Sequence, residues 1–240
     1  MRLLAWSPVL PEGGRFPRRE GRPFLPGSVL KEAFKDALVY YALKKDAALA
    51  RSLARFLKTH RKTSLSALIK TVERSVLERY GGLLGGLKLP ERVELPPEAV
   101  VERTVEVYDL RKKDFKEVFR SEVFLGAAEL EGELPEELKS ACHSYCEALL
   151  HAELTFLRDH PLGELFHRQL SSEIKRWEYP LRLGFWTTAP FGGRLFWFWS
   201  NKEVRNRVRR LYGIDIRPFR VIYLPREKQT AGWSEVKQDA

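Results

Sequence analysis

Residues 21–38 read GRPFLPGSVLKEAFKDAL, and the way the chain enters this helix governs what can pack around it. Pro26, Gly27 and Ser28 form a turn that delivers the chain into the helix. Ser28 suits the N-cap, where its hydroxyl accepts from an orphaned backbone N–H. Leu30, Ala33, Phe34, Ala37, Leu38 and Tyr41 then recur at i, i+3, i+4, a stripe that faces a core. With Ser28 as cap, Lys31 stands third, where a capping box prefers Glu or Gln. A cation at the positive end of a helix is unfavourable by itself. An anion would reverse this: free amides, a close-approaching backbone at Gly27 and a lysine together make a phosphate site. Lys31 and Lys35 both lie off the apolar stripe, one turn apart.

Working outward, residues 2–10 read as a short strand closed by Pro8 and Pro11. A Gly/Pro/Arg-rich loop with Arg15, Arg18, Arg19 and Arg22 follows. Residues 46–80 are helical in two pieces broken near KTHRKTS, and GGLLGGLKLPERVELPPE then ends all periodicity. Residues 44–98 are therefore expected to be a mostly helical insertion with a flexible exit. AVVERTVEVYDL and FKEVFRSEVFLGAAELEGE predict two antiparallel strands. Pro135 opens a helix that runs to about residue 160, and 163–177 forms a shorter one. A strand reaches Gly184, RLFWFW is expected to be another, and Asn201 and Gly213 bracket the helix KEVRNRVRRLY. IRPFRVIYLP is the last expected strand, followed by a basic tail. Without the insertion this order suits a ferredoxin-like α+β sandwich and admits a degenerate second copy.

The chain has 240 residues, 44% of them hydrophobic, with a net charge of +10. No apolar run approaches the ~18 residues of a membrane span. The start, MRLLAWSPVLPEGG, lacks the pattern of a secretory signal, so a soluble cytoplasmic protein with no membrane partner is expected. Asn and Gln number only five against 26 Arg, a balance that fits a thermophile. Residues 98–160 hold 15 acidic and 8 basic side chains, whereas 175–230 hold 13 basic and 4 acidic. Two basic ends around an acidic middle point to one polyanion-binding face made by both ends of the chain. Arg205 and Arg209 lie on the basic faces of the 202–212 helix. Cys142 and Cys146, with His143 and His151 nearby, lack a second ligand pair at zinc spacing. They read as small buried apolar residues, and no metal or cofactor is expected.

A second candidate site is LRLGFWTTAPFGG, residues 181–193. Gly184 ends a strand, Thr187, Thr188, Gly192, Gly193 and Arg194 offer donors to phosphates, and Trp186 could stack on a base.

Three stretches, in order, resemble one family. FLPGSVLKEAFKDAL is similar to the Pro-Gly-Ser-x-Leu-Lys helix of the repeat-associated (RAMP) proteins of CRISPR systems. YPLRLGFWTTAPFGG and YLPREKQTAGW resemble the Leu-Arg-Leu-Gly strand with its glycine-rich loop, and the closing Pro-Arg…Gly-Trp element, of one branch. That branch is the type III-A Csm-complex subunit that caps the backbone near the 3′ end of the guide RNA. The resemblance implies a ferredoxin-like (RRM-like) RAMP fold in a single unit over 1–240, with 44–98 inserted. It implies binding to guide RNA (crRNA), with target RNA a further candidate, and backbone RAMP subunits as neighbours in antiviral defence. On matching positions, Gly27, Ser28 and Lys31 would contact the RNA backbone. Arg182, Gly184 and the loop through Gly193 would support the guide, with Arg226 on the closing element. The chain departs from the pattern at Glu32, where relatives often carry Gly, and at the bulkier 184–193 loop.

The RAMP subunits that cleave target carry an Asp before the Pro-Gly-Ser turn, whereas residues 11–27 here hold Glu12 and Glu20 but no Asp. No catalysis is expected. The alternative is a metal-independent RAMP endoribonuclease acting on repeat RNA, with His60 in its basic loop as general acid or base. A scaffold that touches only protein is a third reading.

Overall fold

A computed structural model describes residues 1–109, 112–157, 161–184, 193–214 and 220–238. The two ends of the chain meet in its first sheet. β1 (Arg2–Ala5) pairs antiparallel with β11 (Trp233–Lys237), Leu3 opposite Val236. β7 (Ala127–Glu129) flanks β1, and β8 (Tyr179–Arg182) flanks β11. The tail read as a basic extension is thus a central strand, and Trp233, Ser234 and Val236 are fully buried in it.

Leu3, Tyr179, Leu181 and Val236 belong to one core with α1 (Gly27–Lys45) and α4 (Leu138–Leu157). This is the helix-on-sheet layering of an α+β sandwich, as the element order implied. α1 lies at its centre. Its expected stripe is buried, and so are Val39, Tyr40, Ala42 and Leu43. α2 (Ala47–Thr59) and α3 (Leu65–Gly85) form the insertion, and the break between them falls at the expected place. Asp46 caps α2 through the Leu49 amide and also takes Arg79 and Tyr80 of α3, which ties the two helices together.

A second sheet has the order β10 (Gln229–Thr230), β9 (Arg220–Leu224), β5 (Val100–Asp109), β6 (Asp114–Phe124). Val105, Val107, Val123, Ile222 and Leu224 give it a small core of its own. It draws on the middle and the end of the chain, so it is not a second copy built from consecutive C-terminal elements. α5 (Pro161–Ile174) packs beside α4.

Four local expectations change. RLFWFW is not a strand: α6 (Gly193–Phe196) runs into a 3-10 turn at Trp197–Ser200. Phe196, Trp197 and Phe198 are all fully buried, and an apolar run without alternation does not distinguish helix from strand. The first strand ends at Ala5, leaving Val9 in an isolated bridge to Phe124. Ser28 is not the cap. β3 (Arg22–Pro26) turns directly into α1, so Pro26 is the N-cap without a side-chain bond and Lys31 stands fifth. Finally, the exit of the insertion is built into the fold, since β4 (Arg92–Glu94) pairs with β3, whose other edge carries β2 (Arg18–Arg19). α7 (Lys202–Tyr212) keeps its expected caps, Asn201 accepting from the Glu203 and Val204 amides and Gly213 at φ 63°.

The Gly27 amide donates to Glu91 O at 2.8 Å. A Cβ on Gly27 would be driven into the Pro90 carbonyl oxygen. The close approach that Gly27 permits is therefore to the chain's own backbone. Gly27→Ala is expected to lower unfolding free energy by about 1–3 kcal/mol, the usual cost of overpacking, as measured by denaturant titration.

Candidate functional site

Both ends of the chain line one cleft of about 750 Å³. The loop before β2 supplies Phe16 and Pro17, α1 supplies Ser28, Glu32 and Asp36, β8 and the residues after it supply Arg182 and Gly184, and α6 supplies Arg194. Four of the sequence-predicted residues, Ser28, Arg182, Gly184 and Arg194, are thereby brought together. By helix geometry the Ser28 and Val29 amides have no intrahelical carbonyl to reach. Gly184, at φ +108°, packs its backbone within reach of Leu10.

The cleft is not an all-basic groove. Glu32 accepts from Lys35 Nζ at 2.6 Å and from Arg194 Nη2 at 3.0 Å. Lys35, predicted to face RNA, is buried and also pairs with Glu73 of α3 at 2.8 Å. Burial pulls its ammonium down, but Glu32 and Glu73 outweigh that and hold it above the ordinary lysine value. Asp36 follows Glu32 by one turn. Burial, with Glu32 adding to it and Arg194, Lys35 and the Trp197 indole opposing, pushes its carboxyl up to about 7. Its Oδ1 is buried without a hydrogen bond.

Arg182 is also buried, for a reason the sequence reading missed. Its Nη1 donates to Glu153 Oε1 at 2.7 Å, and its guanidinium lies 4.2 Å over the Trp233 ring. Glu153 Oε2 stands 3.1 Å from His167 Nε2 and accepts from Thr230 Oγ1 at 3.4 Å. Burial alone would raise the Glu153 carboxyl, but Arg182 and His167 prevail and hold it below the usual range. Leu-Arg-Leu-Gly and Gly-Trp thus meet in space. Trp233 Nε1 donates to Thr230, and its amide donates to Ser7. A signal for Glu153 existed: it lies on the apolar stripe of Cys142, Cys146, Leu149 and Leu157. Both cysteines are buried and free, as read.

The other predicted residues lie apart from the cleft. Lys31 is exposed on α1. Arg205 stacks 4.5 Å over Trp199, and Arg209 is exposed, on a helix that packs against α2. Arg226 is exposed in the turn between β9 and β10. Trp186, Thr187, Thr188 and Gly192 lie outside the described residues, and Gly193 begins α6. Among the described residues, no group of three or more His, Cys, Asp or Glu is placed to hold a metal ion. No described helix is long and apolar enough to cross a membrane.

No family model matches the chain. A protein of Aquifex aeolicus (strain VF5), described as uncharacterized, is 59% identical over 242 residues and covers 100% of both chains. The chain belongs to the same family as that protein. Among solved structures, a chain of the Csm-crRNA-target RNA ternary complex of a type III-A CRISPR-Cas system superposes with a TM-score of 0.60. The match covers 93% of this chain and 75% of that one, at 16% identity. Csm5 of T. onnurineus matches with a TM-score of 0.55 and 15% identity over 92% and 73% of the two chains. The chain has the fold of these Csm proteins.

Two measurements probe this site. Glu153→Ala strands Arg182 as a buried unpaired charge and is expected to cost about 3–5 kcal/mol of stability, read by denaturant unfolding. Asp36 has a folded value above its unfolded one, so the folded state binds that proton more tightly and stability falls as pH rises from about 4 to about 7. Asp36→Asn is therefore expected to stabilise the fold at pH 8 by roughly 1–4 kcal/mol and to change little at pH 4. Thermal melts at both pH values check the sign.

Proposed function

We propose that the chain is a non-catalytic guide-RNA-binding subunit of a type III-A CRISPR ribonucleoprotein, capping the RAMP backbone near the crRNA 3′ end. The observation that carries this reading is the meeting of the Pro-Gly-Ser helix start and the Leu-Arg-Leu-Gly strand, from opposite ends of the chain, at one cleft. The fold it shares with Csm proteins supports membership of such a complex. Arg205, Arg207, Arg209 and Arg210 on α7 supply cationic charge for phosphates.

The lack of catalysis rests on chemistry. His60, the one candidate base in the repeat-RNA nuclease reading, has its Nδ1 2.8 Å from Thr59 Oγ1 and its ring on Phe56, an arrangement that finishes α2. His167 is fully buried against Glu153. Incubation of the pure protein with labelled repeat RNA in EDTA separates the two readings. Specific cleavage that disappears in His60→Ala would make the protein an enzyme.

Lys31 and Arg209 are exposed, so their reversal tests binding without disturbing the core. Lys31→Glu with Arg209→Glu is expected to weaken single-stranded RNA binding and to lower the salt-dependence slope by about one for each phosphate no longer neutralised. Filter binding across a salt series reads both. Unaltered affinity and slope would leave only a protein-binding scaffold.

A further inference from the structure

The cleft holds the wrong charge for a phosphate. Two carboxylates, Glu32 and Asp36, line it, and Arg194 is already bonded to Glu32. A phosphodiester pushed inward would meet Asp36 in a site poor in water, where repulsion is strong. What enters must therefore be uncharged and rich in N–H donors. Much of the lining is apolar, including Phe16, Pro17, Val29 and Leu195, which suits the faces of a planar ring.

We infer that the cleft takes one extruded guanine base of the bound RNA strand, its N1–H and N2–H donated to Asp36 and its carbonyl oxygen left to an arginine donor. The inference rests on the RNA-binding reading above and gives it a base preference. Three observations lead to it. Asp36 Oδ1 is buried with no hydrogen bond, an acceptor short of a donor. Arg182 lines the cleft, is 7% exposed, and has no partner at Nε, so a donor stands in the same wall. Burial also raises the Asp36 carboxyl, the perturbation expected of a binding group in a cleft. Guanine carries two adjacent N–H donors and an acceptor on one edge, whereas adenine has no such donor pair. A basic side chain from a neighbouring subunit could satisfy Asp36 but offers nothing to Arg182.

Fluorescence anisotropy of the full chain with labelled oligouridylate reads this directly. One central guanosine is expected to tighten binding about tenfold over all-uridine RNA, and one central adenosine is expected to give no gain. In Asp36→Asn, whose folding at pH 8 a melt confirms, the guanosine gain disappears. Equal affinity for guanosine, adenosine and uridine RNA in the native protein overturns the inference, and so does a gain that survives Asp36→Asn. Should no RNA bind at all, the RNA reading fails, and titration of GMP against AMP by tryptophan fluorescence decides the pocket by itself. GMP selectivity would uphold it. Equal response to both, or Asp36→Asn weakening only the association with a neighbouring subunit, would assign the cleft to a protein side chain.

Discussion

A buried carboxylate holds the molecule together. Glu153 sits in α4 with no exposed surface, and it draws in Arg182 from β8, His167 from α5 and Thr230 from β10. Taking a carboxylate and a guanidinium out of water costs several kcal/mol for each ion. Their attraction offsets that cost only where further hydrogen bonds complete the coordination. Thr230 and His167 provide them, and the Trp233 ring covers the guanidinium face with a cation–π contact. One charge thus joins the helical layer, the first sheet and a strand of the second. Elements that come late in the chain cannot settle until α4 is in place, because the charge they satisfy lies on it.

The same network aims the C-terminal motifs. Arg182 is held between Glu153 and Trp233, so Gly184 emerges next to Leu10, in the wall of the cleft that the first turns of α1 also line. Gly232 takes part through its own backbone: its amide bonds Pro8 O, and its carbonyl accepts from Leu183. The N-terminal strand, the Leu-Arg-Leu-Gly strand and the closing Gly-Trp element are therefore one local unit, although 226 residues separate Ser7 from Trp233 along the chain. Motif glycines and arginine that look like ligand contacts serve first to bring the chain ends together.

Much of this was legible in the sequence, and what was missed follows a pattern. The stripe of α1, the caps of α7 and the break between α2 and α3 are local signals, and local geometry bears them out. Readings that needed partners distant in sequence went astray. Pro26 replaced Ser28 as N-cap because β4 holds β3 straight up to the helix. WSEVK read as polar tail, because nothing nearby says that two hydrogen-bonded neighbours will bury it as a central strand. Lys35 lay off the stripe, yet Glu73 from the insertion and Glu32 from its own helix enclose it. Hydrophobic periodicity reports which face is buried by apolar neighbours. It is silent on a cation buried by carboxylates.

That silence bears on how a basic protein can keep acids in its candidate site. A net charge of +10 attracts a polyanion over a distance of about a Debye length, ~10 Å at 0.1 M salt. Within the cleft, contact distances and low water content decide instead. Glu32 there is already neutralised by Arg194 and Lys35, whereas Asp36 has no hydrogen bond at Oδ1. The two scales make separate demands. Exposed Lys31 and Arg209 act on the phosphates of a strand that stays outside, and the acidic interior keeps those phosphates from entering. Carboxylates in the cleft then restrict what a bound strand can insert to a neutral group with hydrogens to donate.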